Sequence, residues 1–200
     1  MQRPCAPPKE RMARFLQDIA AVLDPLEREE PSVREAIQNI EPIEAALIPE
    51  PYRSLLVHDS DMTPTLRDYW ESPIALRPLI VFRDGDLLHR QVVLTAGPGR
   101  IPVEAGAIRI HLDRFPPEAL PVILRGRQPL GAVLSEYRIP HVSDPQGFFR
   151  LPANRFLKEA FQDPRDQTLY GRCNRLSDDA GKTLAEVVEI LPATVRSSVS

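Results

Sequence analysis

Cysteine is almost missing: Cys5 and Cys173 stand far apart with no CxxC spacing, so neither a disulfide framework nor a zinc site is expected. The four histidines, His58, His89, His111 and His141, show no HExxH or HxH spacing, and no metal or other cofactor is expected. No apolar run approaches the ~20 residues of a membrane span, and the N-terminus has no apolar signal core. The expectation is a cytoplasmic protein without an integral membrane segment. GxGxxG, P-loop and GxSxG patterns are absent, which leaves no glycine-rich phosphate cradle and no hydrolase elbow. The formal charge is −3 with arginines spread along the chain, and the first 50 residues hold no helix-turn-helix or basic recognition helix. Nucleic acid is therefore not an expected partner. There is no internal repeat and no low-complexity tract.

What is present is an ordinary globular composition, 42% hydrophobic and 26% charged over 200 residues, enough for one domain with appendages. Met12, Phe15, Leu16, Ile19, Leu23 and Leu26 recur at helical spacing and predict an amphipathic helix after a Pro-rich tail. A second helical pattern opens at Pro31 and carries Ile40 and Leu47, with Pro42 splitting it in two. Further on, Asp61 or Thr63 is placed to cap a helix with Pro64 at its first position. Strand patterns follow at 74–94, 102–112 and 139–151. Helices are predicted from Pro117 to Leu124, over 129–137 and over 154–162, and a closing hairpin over 169–176 and 182–191. Strands returning through hairpins with helices between them predict an antiparallel α+β fold. The expected division is a helical extension at 1–54, a domain at 55–193 with an insertion at 152–168, and a tail at 194–200.

The stretch IALRPLIVFRDGDLLHRQVVL, residues 74–94, reads as one hairpin turning at Asp84-Gly85, a dipeptide suited to a type I′ turn. That register puts Arg83 opposite Asp86, Leu79 opposite Arg90 and Arg77 opposite Val92. Arg77 and Arg90 would then be diagonal neighbours on one apolar face, roughly 7–8 Å apart at the backbone. Two guanidinium groups that cannot shed their charge require an anion, either a protein carboxylate or a bound small dicarboxylate. The alternative is a pair of solvated strand residues on an open face.

LLVHDSDMT at 55–63, the arginine-bearing hairpin, PLGAVL at 129–134 and LYGRCNRL followed by GKTLAEVVEILP at 169–192 together resemble, in their order, the chorismate lyase (4-hydroxybenzoate synthase) family and its broader relatives. The resemblance covers roughly 55–193. It implies an antiparallel sheet around an enclosed site for an aromatic acid, and cofactor-free removal of pyruvate from chorismate to leave 4-hydroxybenzoate, a step of ubiquinone-type biosynthesis. Arg77 and Arg90 match the family's carboxylate-binding arginines, and Met62 and Leu130 match apolar residues lining the site. A glutamate of the last strand matches the catalytic acid/base. An ungapped match from Gly181 puts Val188 at that position, so Glu189 takes it only if a bulge or altered turn absorbs one residue; Glu186 is the alternative. Either glutamate could instead be a structural counter-ion of Arg172 or Arg175. Arg172, His58 and His141 lie in family-like segments within reach of a ligand or of structural partners. A similar fold also serves as the effector-sensing domain of certain bacterial transcription regulators, which makes a non-catalytic binding module of small aromatic acids the competing expectation.

Overall fold

The computed structural model describes residues 8–28 and 38–193. The first seven residues of the Pro-rich tail expected at 1–8, the tail at 194–200, and the opening of the second helical pattern within 29–37 lie outside the described residues, while Pro8 already belongs to the first helix. Helix α1 (Pro8–Leu23) continues into a 3-10 turn at Asp24–Arg28. Its inward stripe is Phe15, Ile19, Val22, Leu23 and Leu26, all buried, whereas Leu16 of the expected stripe is 40% exposed. Where a helix was expected across Pro42, the chain instead forms strand β1 (Glu41–Ile43), paired with residues 148–150, and a 3-10 turn at Ala45–Leu47. Proline is tolerated there because β1 is an edge strand.

Six longer strands complete the sheet: β2 (Ile74–Asp84), β3 (Leu87–Ala96), β4 (Ile101–His111), β5 (Val142–Pro152), β6 (Thr168–Ser177) and β7 (Thr183–Leu191). Their spatial order is β1-β5-β6-β7-β4-β3-β2, with every neighbouring pair antiparallel. Helices α2 (Tyr52–Leu56) and α3 (Met62–Trp70) precede β2. Helices α4 (Leu120–Arg125) and α5 (Leu130–Glu136) follow β4, and α6 (Arg155–Phe161) lies between β5 and β6. The fold class is the expected antiparallel α+β.

The sheet is covered on both sides, so its central strands are apolar in both phases rather than alternating. On one face α1 and α6 pack Phe15, Ile19 and Leu157 against Val93, Ala105, Phe149 and Val188. On the other, α2 and α3 close over Leu94, Val103 and Leu191, while α4 and α5 close over Ile108, Ile110 and Ala185. Each fully buried valine, leucine, isoleucine or phenylalanine among them stabilises the fold by roughly 1.5–3 kcal/mol. The face carrying α2 to α5 does not pack solid along its whole length, and a cavity remains between its two apolar clusters.

Candidate functional site

The β2–β3 hairpin forms, but one residue later than its sequence suggests. Asp84 pairs with Leu87, so Gly85 and Asp86 make the turn, and Gly85 supplies the positive φ of 58°. Further along, the register shifts between Pro78 and Ile80, leaving Leu79 bulged out of the ladder. Pro78 has no N–H to give to a ladder and sits on an edge strand, where such irregularities are tolerated. Arg90 therefore stands opposite Val81, while Arg77 stands opposite Val93. Positions 90 and 93 of one strand point to opposite faces, so the two arginines are on opposite sides of the sheet. Arg77 is exposed and Arg90 is 2% exposed. The expected two-arginine face does not exist.

Arg90 lines the cavity alone. Around it are Leu76, Val92 and Leu94 from β2 and β3, Gly106 and Ile108 from β4, Val187 from β7, and Met62 and Leu130 at the starts of α3 and α5. The cavity has a volume of about 70 Å³. Asp61, Thr63, Pro129 and Gly131, the half-buried lining residues near the helix starts, mark that mouth. Arg90 donates through Nη1 to the Gln128 carbonyl at 3.2 Å, and its Nε has no hydrogen-bond partner among the described residues. Among them it has no carboxylate partner either. Burial draws its guanidinium down to about 10. A cation so placed is costly unless an anion joins it.

The opposite end of the cavity is acidic. β7 carries an extra residue: Leu176 pairs with Ala185 and Ser177 with Thr183, so Leu184 is bulged. That bulge sets the phase in which Glu189 and Val187 face the cavity, and it turns Val188 and Glu186 to the α1 side. Glu189 accepts from Arg172 Nε on β6. Arg172 is fully buried, and its remaining N–H groups donate to the carbonyls of Leu56 (3.2 Å), His58 (3.0 Å) and Ser60 (3.2 Å), so one side chain ties the α2–α3 loop to β6 and β7. His58 lies behind this clamp. Its Nε2 donates to the Leu55 carbonyl while Nδ1 accepts from Ser60 N–H and Arg172, and burial, then Arg172, lowers its pKa.

Glu104 is the residue that reading the sequence missed. It lies opposite Leu94 on β4, 3% exposed, and lines the same end as Glu189. Burial raises its pKa well above the ordinary carboxylate range and Glu189 adds to that, against Arg172. A signal was available: PVEAGAIRI is apolar in both alternating phases around Glu104, the pattern of a strand buried on both faces.

Of the expected site residues, Arg90, Glu189, Met62 and Leu130 come together on this cavity, and Arg77, Arg172, His58 and His141 do not line it. His141 touches the mouth indirectly: its Nε2 is 3.0 Å from Asp61 Oδ2 and its Nδ1 donates to the Ile139 carbonyl. Asp61 therefore occupies the N-cap position of α3 without capping, and Pro64 is the third helical residue rather than the first. Glu186 is held on the far face by Arg109 and His111. Among the described residues no cluster of side chains could hold a metal ion, and no helix is long and apolar enough to cross a membrane.

No family model matches the chain, and no curated protein matches it. Solved structures do. The chain is similar to PhnF from Mycobacterium smegmatis, with a TM-score of 0.52 and 10% identity over 72% of this chain and 71% of that one. It is similar to the effector domain of the same protein, with a TM-score of 0.52 and 10% identity over 66% and 88% of the two chains. The ligand-binding domain of a putative GntR-family transcriptional regulator from Bordetella bronchiseptica matches with a TM-score of 0.47 and 14% identity, over 63% and 92%. At such identities the likeness is one of fold, the chorismate lyase-like antiparallel sheet with helices packed around it.

Proposed function

We propose that the cavity binds a small aromatic carboxylic acid, with the carboxylate on Arg90 and the ring between Val92, Ile108, Met62 and Leu130. The observation that carries this reading is Arg90 itself, a buried guanidinium with an unpartnered Nε in a mostly apolar chamber. A forked donor in a buried, mostly apolar site suits a planar carboxylate and gains from the low dielectric around it. The similarity to proteins described as an effector domain and a ligand-binding domain supports binding without turnover as the primary role.

Elimination of pyruvate from chorismate is the second reading, favoured by a carboxylate, Glu189, in the same chamber as Arg90. There a base removes the ring proton, the C–O bond to the enolpyruvyl group breaks, and the departing enolpyruvate takes a proton to become pyruvate while the ring aromatises. Against a mobile base stands the Arg172 ion pair, which fixes the Glu189 side chain in place.

Titration calorimetry with 4-hydroxybenzoate tests the first reading: binding to the wild type and at least tenfold loss in Arg90→Met, about 1.4 kcal/mol or more. No heat with the wild type would overturn it. Incubation with chorismate separates the two readings. Pyruvate release that disappears in Glu189→Gln would establish the lyase, and binding without pyruvate would establish the sensor.

A further inference from the structure

Arg90 is a donor in want of an acceptor, and the far wall of the same cavity shows the reverse. The Arg90 stem passes Gly126 and its Nη1 donates to the Gln128 carbonyl, so the guanidinium lies toward the α4–α5 connection. Away from it, Glu104 Oε2 and Asn174 Oδ1 are buried acceptors with no hydrogen-bond partner among the described residues. Both residues line the cavity, 3% and 2% exposed. Asn174 Nδ2 donates to Ser143 Oγ at 2.9 Å, and that hydroxyl gives its own proton to the Ser60 carbonyl at 3.4 Å, which holds the amide in this orientation. The ladder fixes the spacing. Arg90 faces Ile108, Ile108 faces Val187 and Val187 faces Asn174, one row across four strands, with roughly 14 Å between the first and last backbones. Glu104 reaches into the neighbouring row: its Oε1 lies 2.8 Å from where a Cβ at Gly106 would stand, and Gly106 faces Glu189. Two unmet acceptors thus stand across the chamber from one unmet donor. Arg172, the other cation at that end, is committed to Glu189 and to three carbonyls.

Resting on the binding reading above, we infer that the preferred ligand is a zwitterion: an aromatic acid whose carboxylate meets Arg90 and whose ammonium group, remote from it, donates to Glu104 and Asn174. In either protonation state Glu104 offers an acceptor oxygen, and Asn174 Oδ1 is an acceptor only. An ammonium group has three N–H donors, whereas a hydroxyl has one O–H and leaves one of the two acceptors unmet. A buried acceptor left without a donor is costly, so the cavity discriminates against acids that carry no amine. Charge points the same way. A plain carboxylate pairs Arg90 and does nothing for the Glu104 carboxyl, whereas a ligand with one charge of each sign supplies a partner to both.

The test compares 4-(aminomethyl)benzoate with 4-(hydroxymethyl)benzoate, two acids of one shape that differ in the ammonium group, by titration calorimetry on the full chain at neutral pH. In the wild type the amino acid binds at least about tenfold more tightly. In Glu104→Gln, which keeps the shape and removes the charge, the preference falls below about threefold while the hydroxymethyl acid binds as before. Asn174→Ala also loses part of the preference and carries the test where the glutamine variant does not fold. Equal binding of the two acids to the wild type, or a preference that survives both substitutions, overturns the inference and leaves the Arg90 reading standing. Silence from both acids while 4-hydroxybenzoate binds overturns it likewise. Silence from all three overturns the binding reading itself.

Discussion

The two faces of the sheet hold similar charged residues in opposite circumstances. On the α1 side Arg109 donates to both oxygens of Glu186 at 3.1 and 2.9 Å and to the Ala21 carbonyl, His111 meets the same carboxylate at 3.0 Å, and Arg175 reaches Asp18 at 3.2 Å. On the cavity side Arg90 has one carbonyl, and Glu104 has an oxygen with no partner. Residue type does not separate these sets; satisfaction does. A charge whose needs are met by the chain belongs to the fold, and a buried charge whose needs are unmet is the place to look for a ligand. Arg172 and Glu189 stand between the two cases: they satisfy each other and Arg172 is tied to the α2–α3 loop, yet Glu189 still lines the cavity.

The sharpest way to break this contrast is Arg172→Met. It leaves Glu189 buried without a cation and frees the carbonyls of Leu56, His58 and Ser60, and urea unfolding should show a loss of about 3–5 kcal/mol. A loss below about 1 kcal/mol would mean the clamp is not a structural unit. Glu186→Gln should come next, at about 1–3 kcal/mol, because it strips Arg109 and His111 of their shared acceptor. The same residue fixes a pH window. Burial alone would raise the Glu186 pKa, but the hydrogen bonds from His111 and Arg109 outweigh it and hold the carboxyl at about 2. A depressed carboxylate stabilises the fold above its unfolded pKa and loses that contribution as pH falls through the folded one. Wild-type stability should thus decline from about pH 4.5 toward 2 more steeply than that of Glu186→Gln, as read by unfolding at stepped pH. Parallel curves would remove the ion pair from the stability argument.

Glu104 gives the opposite sign. Its raised folded pKa means the folded state holds a proton that the unfolded chain releases, so stability falls as pH rises above the ordinary glutamate value. Glu104→Leu should flatten that decline. An unchanged slope between the two proteins would show that Glu104 is ionised in the fold. The smallest effect belongs to Arg77→Ala, exposed on the far face, which should change stability by less than about 0.5 kcal/mol and leave acid binding unaltered. Weakened binding there would restore a two-arginine site.

Much of the architecture was legible because it rests on local signals. The hairpins, the α1 stripe from Phe15 to Leu26, and the Asn154-capped α6 follow from turn chemistry, helical period and a side chain that accepts from Leu157 N–H at 2.9 Å. What was not legible depends on single-residue bulges. Leu79 moved Arg77 to the far face, and Leu184 brought Glu189 to the near one, each by the same one-residue change of phase. Nothing in the period-2 pattern marks where a ladder will slip when both faces are apolar. Glu104 was hidden for a related reason, since a lone charge in a strand reads as a solvent face until the opposite phase is also seen to be buried. The β1 strand through Pro42 depends on pairing with residues 148–150, more than a hundred positions away, and no local pattern announces it.

The most direct measurement compares the unfolding free energy of the wild type with that of Arg90→Met, each with and without 4-hydroxybenzoate. An unpaired buried guanidinium does not hold the fold together, so without the acid Arg90→Met should be as stable as the wild type or more so. With the acid, only the wild type should gain stability, in proportion to the logarithm of ligand concentration above its Kd. An Arg90→Met protein that is markedly weaker without ligand, or that is stabilised by the acid as strongly as the wild type, would contradict the claim that Arg90 is kept for an anion.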